Sequence, residues 1–161
     1  MKKLIYTLLI FITFTNNSFS AGTASDSSDG SSSYTKAYNL IKAAKKYEQK
    51  GKTEKAQKKY TKAQKLLLKS NKKKPLQADT LNYLGFTTRK LGDYEKSEEF
   101  YLQGLKIKPN HRGINEYLGE LYMITDRMDL AKERLIVLKN CNCEEYKQLK
   151  EIIAGTKKSK Y

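Results

Sequence analysis

The sequence predicts an all-α fold in which three helix–turn–helix repeats stack as an α-solenoid and a final helix caps the open end. Three observations carry that prediction. Apolar and small residues recur at steps of three and four, the spacing of one helical face. Gly51, Gly92, Pro109 and Gly155 interrupt those faces where turns are needed. Leu81, Leu84, Gly85, Ser97, Tyr101 and Gly104 are followed 34 residues later by Asn115, Leu118, Gly119, Ala131, Leu135 and Leu138. A period of that size marks units that bury their faces only by stacking on one another.

Taken in order, residues 1–20 begin with Lys2 and Lys3, continue with an apolar run from Leu4 to Phe14, and end with Asn16, Asn17 and the small residues Ser18 and Ser20. These are the three regions of a secretory signal peptide, with cleavage expected after Ser20. The run is too short for a comfortable membrane span, although an uncleaved anchor is the competing reading. No cysteine follows it, which argues against a lipoprotein anchor. Residues 21–33 are Ser, Gly, Asp, Ala and Thr without a large apolar side chain, and read as a flexible linker.

Residues 34–75 form the first repeat. Leu40, Ala43, Ala44, Tyr47, Ala56, Tyr60 and Ala63 keep the internal spacing of the later copies, with Gly51 in the turn. The step from Leu40 to Leu81 is 41 residues rather than 34, so seven are extra. They are expected to lengthen the second helix and the lysine-rich connection to Pro75.

Residues 76–109 form the central repeat, and the reason for its glycine is steric. Two antiparallel helices approach closely only where one side chain is nearly absent, so Gly85 is predicted to lie against the following helix, and a bulkier residue would overpack that seam. Residues 110–142 repeat the unit. His111, the single histidine, sits in the turn Pro109-Asn110-His111-Arg112, and reads as a turn or helix-start residue rather than a metal ligand or a general base. Residues 143–155 carry Tyr146, Leu149, Ile152 and Ile153 on one side, the pattern of a capping helix, and residues 156–161 form a basic tail.

The central unit, with Gly85 beside Leu84, Tyr94 in the turn, small Ser97 and Gly104, Tyr101 between them and the closing Pro109, resembles the tetratricopeptide repeat. The resemblance implies a right-handed superhelix whose first helices line a concave groove and whose second helices lie outside. It nominates Tyr38, Ile41, Lys45, Asn82, Phe86, Arg89, Lys90, Glu116, Glu120 and Met123 as groove residues for a protein or peptide partner. Phe86 with Arg89 has the composition of a binding hot spot, the alternative being that Phe86 packs on a neighbouring helix. A subset of the family grips terminal carboxylates through a Lys–Asn arrangement. Ile41 and Lys45 stand where that pattern requires Lys and Asn, so such a clamp is not implied. The segments YLGELY, LAKERL and CEEYKQL also resemble small exported Gram-negative proteins of this family. That likeness covers residues 76–153 well and 34–75 loosely, and implies an envelope protein without assigning an activity.

Charge is the other strong signal. The chain carries +15 formally, but residues 34–75 hold 15 Lys against Glu48 and Glu54, while residues 76–161 are nearly balanced. Lys55, Lys58, Lys59, Lys62, Lys65 and Lys69 share one helical side, opposite Ala56, Tyr60, Ala63 and Leu67. This is either a solvated face that maintains solubility or an electrostatic attachment to an anionic envelope lipid or polymer. Recognition of individual phosphates favours Arg, which this segment lacks, and the export signal further demotes nucleic acid. Cys141 and Cys143 flank Asn142 where the third repeat ends. They are read as a disulfide pinning that loop, with an intermolecular or free pair and a redox-active pair as alternatives. The repeats fill the chain, leaving no room for an enzyme domain, and no catalytic, cofactor or metal constellation is evident. The expectation is a non-catalytic periplasmic scaffold.

Overall fold

Each helix pair turns through one residue in left-handed backbone conformation, Gly51 (φ 67°), Gly92 (φ 92°) and Asp126 (φ 57°). Asp126 follows Gly92 by one repeat period, and Asp tolerates this region better than most side chains. In the computed structural model, which describes residues 27–159, these turns join α1 (Ser27–Gln49) to α2 (Thr53–Lys73), α3 (Ala78–Lys90) to α4 (Tyr94–Ile107), and α5 (Arg112–Ile124) to α6 (Met128–Leu138). A last helix, α7 (Glu144–Ile153), follows. The described residues contain no strand.

The helices stack as a solenoid of repeats. Within a pair they run antiparallel, and each pair packs on the next, so α1, α3, α5 and α7 form an inner row while α2, α4 and α6 lie outside. The glycine seam falls where the spacing places it. A Cβ on Gly85 would collide with the Tyr101 ring of α4, while Ser97 Oγ donates to the Gly85 carbonyl at 2.8 Å. The period repeats the device at Gly119, where a Cβ would stand 2.6 Å from Leu149 Cδ2 of the cap. The glycine recurs with the period but its neighbour changes: Gly85 admits the second helix of its own pair, whereas Gly119 admits the cap. The seven extra residues of the first unit lengthen its second helix: α2 has 21 residues and α4 has 14.

One boundary differs from the expectation. Helix α1 starts at Ser27, inside the stretch read as linker, because Ser33 is buried and the Tyr34 ring stands 6.0 Å from that of Tyr83 on α3. Tertiary contact thus carries the helix upstream of the first apolar signal. The predicted signal peptide lies outside the described residues.

Candidate functional site

The inner row presents a surface of tyrosines and carboxylates. Tyr34 and Tyr38 of α1 meet Tyr83 of α3, with the Tyr38 and Tyr83 rings 5.5 Å apart, and Tyr117 of α5 lies 5.1 Å from Phe86. Two adjoining clefts open there. One, of about 580 Å³, is bounded by Lys45 and Glu48 of α1, Glu116 and Tyr117 of α5, and Glu144 and Glu145 of α7. The other, of about 600 Å³, runs over Asp79, Asn82 and Tyr83 to the turn before α5. Glu116, Tyr117 and Glu145 border both clefts.

The charges on this face are sorted by partner. Lys45 Nζ donates to Tyr117 Oη at 3.3 Å and sits 4.5 Å from the Phe86 ring centroid. Glu48 accepts from Tyr60 Oη at 2.8 Å and pairs with Lys90. Burial lowers the Lys90 pKa, and Glu48 acts against that shift. Arg89 reaches from α3 to α5, donating from Nη1 to the Tyr117 carbonyl at 3.1 Å and from Nη2 to Glu120 Oε2 at 3.2 Å. Glu116 is different. Its side chain is buried, and among the described residues no hydrogen bond or ion pair reaches its carboxylate. Desolvation, then the charges of Glu120 and Glu145, push its pKa up to about 8 against the pull of Lys45 and Arg89.

Several nominated groove residues take other roles. Phe86 is fully buried, edge-on to Tyr60 at 5.8 Å and tilted against Tyr117, so it is a core side chain joining three helices rather than an exposed anchor. Arg89 is buried in its pair with Glu120, and the expected hot spot therefore does not exist as a surface. Ile41 is buried in the core between α1 and α2. Glu120 is likewise buried in the inter-repeat pair. Tyr38 is exposed, Lys45, Lys90 and Met123 are half-buried, and Asn82 and Glu116 border the clefts.

The helical spacing missed Tyr83 and Tyr117, although their separation of one repeat period was a usable signal. Glu144 and Glu145 carried no such signal. They join the groove because the cap occupies the position of a first helix.

Outside the groove, Lys55, Lys58, Lys62, Lys65 and Lys69 are exposed along α2 and Lys59 is half-buried. His111 is the N-cap of α5. Its Nδ1 accepts from Ile114 N at 3.1 Å, so Nε2 holds the proton that faces Asp79 at 2.9 Å. Cys141 and Cys143 are joined in a disulfide at the loop before α7. No described helix is long and apolar enough to cross a membrane.

A family model described as tetratricopeptide repeat matches residues 34–110, the first two helix pairs. A sol locus transcriptional repressor from Clostridium acetobutylicum is 38% identical over 72 residues, which are 43% of this chain and 23% of that protein. The chain thus spans under a quarter of that relative. Among solved structures, the first repeat domain of Spaghetti (RPAP3), bound to the HSP90 peptide SRMEEVD, is 18% identical with a TM-score of 0.50, covering 76% of this chain and 94% of that one. The type III secretion translocator chaperone SycD of Yersinia enterocolitica is 17% identical with a TM-score of 0.54, covering 75% and 88% respectively.

Proposed function

Starting from the fact that this chain belongs to the tetratricopeptide-repeat family, we propose that it is a non-catalytic periplasmic scaffold that holds a protein segment against its inner helices. The observation that carries this reading is the pair of adjoining clefts of about 580 and 600 Å³, which together cross α1, α3, α5 and α7. A continuous trough of this kind suits an extended or helical polypeptide better than a single small molecule. Two neighbours in the same fold are named as a peptide complex and as a chaperone. The export pattern of residues 1–20 and the Cys141–Cys143 bond favour an oxidising compartment.

The reading is tested with a photo-cross-linking amino acid placed at Tyr83 in the trough or at exposed Ile136 on α6. Expressed in cells, the Tyr83 probe is expected to yield a discrete adduct that the Ile136 probe does not. Equal labelling from both positions would remove the groove as the working surface. The N-terminal mass of the same purified protein checks cleavage after Ser20.

The exposed lysines of α2 favour a second reading, adsorption to anionic envelope lipids or polymers. Flotation with anionic vesicles at rising salt tests it, because attachment through exposed charges weakens steeply with ionic strength.

A further inference from the structure

We propose that the end of the groove between α5 and α7 is a receptor for cationic side chains, so that the segment held there is a basic one anchored through arginine or lysine. This rests on the groove reading above and specifies the chemistry of its occupant.

In the cleft bounded by α1, α5 and α7, Glu48, Glu116, Glu144 and Glu145 face a single cation, Lys45. Lys45 is engaged with the Tyr117 hydroxyl and the Phe86 and Tyr117 rings, and Glu48 with Lys90 and Tyr60. Glu116 remains. It is 6% exposed, borders both clefts, and its carboxylate receives no hydrogen bond or ion pair from the described residues. A buried carboxyl without a donor is costly unless it is neutralised or given one.

An acceptor without a donor, bordering a cleft that Glu48, Glu144 and Glu145 also line, defines the complementary ligand as donor-rich. A guanidinium offers five N–H donors in a rigid fork and an ammonium three, and neither accepts. The Tyr83 and Tyr117 rings supply faces on which the apolar stem or the cation itself can lie. Among the described residues no three His, Cys, Asp or Glu side chains converge as metal ligands would, which leaves an organic cation. The adjoining cleft is lined by Lys108, His111 and Arg112 as well as Asp79, so the cationic contact is confined to the α5–α7 end and the rest of the segment follows a cleft of mixed charge. The protein's own basic tail takes a related path: Ser159 Oγ donates to Glu120 Oε2 at 3.1 Å, one helical turn from Glu116.

The whole protein bears +15, so bulk electrostatics would select an acidic partner and repel a basic one. Preference for a basic segment can arise only from the local arrangement, and this makes the proposal easy to separate from adsorption at the lysine face.

Binding also moves a proton. The carboxyl of Glu116, with a pKa pushed up to about 8, shares its clefts with Lys45 and Glu48 from α1, Asp79 from α3, Lys108, His111 and Arg112 around the start of α5, and Glu144 and Glu145 from α7, and feels the charges of Arg89 on α3 and Glu120 on its own helix. A bound cation stabilises the carboxylate, so association below about pH 8 releases a proton to solvent and tightens as pH rises towards that value.

The test titrates the protein, residues 21–161, with two labelled decapeptides, alternating arginine–serine and alternating glutamate–serine, by calorimetry in buffers of different ionisation enthalpy. The arginine peptide is expected to bind more tightly than the glutamate peptide and to release a proton at pH 7. Glu116→Gln, which matches the neutral form in shape, is expected to weaken it about tenfold and abolish the proton release, the fold-change of one lost charge-assisted hydrogen bond. Tighter binding of the glutamate peptide, or arginine-peptide binding unaffected by Glu116→Gln, would overturn the proposal. Binding that emerges only after removal of residues 157–161 would assign the site to the chain's own tail and likewise overturn a partner in trans. An adduct from Tyr83 in cells combined with failure here would leave the groove standing and reject only the basic occupant.

Discussion

The first two helix pairs answer one packing problem with different side chains, and their junctions to the next unit differ in the same sense. In α1–α2 the close approach is made by Ala37, Ala44, Ala56 and Ala63, all fully buried, around Ile41, Tyr60 and Leu67. In α3–α4 it is made by Gly85 against the Tyr101 ring. The cross-repeat ion pairs follow suit. Lys90–Glu48 has side chains 9% and 26% exposed, whereas Arg89–Glu120 stands at 1% and 2%. A partly wet junction tolerates loss of a partner, while a dry one leaves the survivor as an uncompensated buried charge.

The largest expected effect comes from breaking the dry junction. Arg89→Ala is expected to cost about 3–5 kcal/mol by leaving Glu120 buried without its cation. Lys90→Ala, its counterpart at the wetter junction, is expected to cost about 1 kcal/mol. Urea midpoints of the two variants decide the matter, and equal losses would erase the distinction. Next is the seam. Gly85→Ala is expected to cost about 1–3 kcal/mol by overpacking against Tyr101, and much less on a Tyr101→Ala background, where the obstructing ring is gone. Ala44→Gly in the first pair is expected to lose only about 1 kcal/mol, since it removes helix propensity without a collision.

A pH experiment sharpens the contrast further, because the first pair has no counterpart of Glu116. Its folded-state pKa of about 8 stands above the usual 4.5, so the folded chain binds the proton more tightly than the unfolded one. The stabilisation is complete below about pH 4.5 and is lost as pH rises through 8. Glu116→Gln removes that slope and is expected to be more stable than the parent at pH 9 by about 1–3 kcal/mol. A parallel pair of stability curves would contradict the assignment. The smallest effect is electrostatic. With its lysines repelling one another, α2 is expected to gain amide protection as salt screens them, by less than about 1 kcal/mol, while α4 changes little in the same hydrogen-exchange run.

Much of the fold was readable because it depends on local spacing. The seam reading placed Gly85 against the second helix of its pair, the period found its equivalent Gly119 although that glycine packs on the cap instead, and the seven surplus residues appear as the longer α2. The groove was less readable, since a helical face says which residues point one way but not how deeply the next repeat covers them. Phe86 and Arg89 point along the inner row as expected, yet α5 closes over both. Tyr83, three residues before Phe86, and its counterpart Tyr117 one repeat later remain accessible in the clefts.

By itself the sequence determined the all-helical repeats, their turns, the glycine seams and the lysine face of α2, because each follows from the periodicity of one or two adjacent helices. Tertiary structure alone decided which inner-row side chains are core and which are surface, how far α1 extends upstream, and the joining of Glu116, Glu145 and Asn82 along one trough. Those outcomes depend on how α1, α3, α5 and α7 shield one another from water, and burial is a property of the assembled row that no single helix possesses.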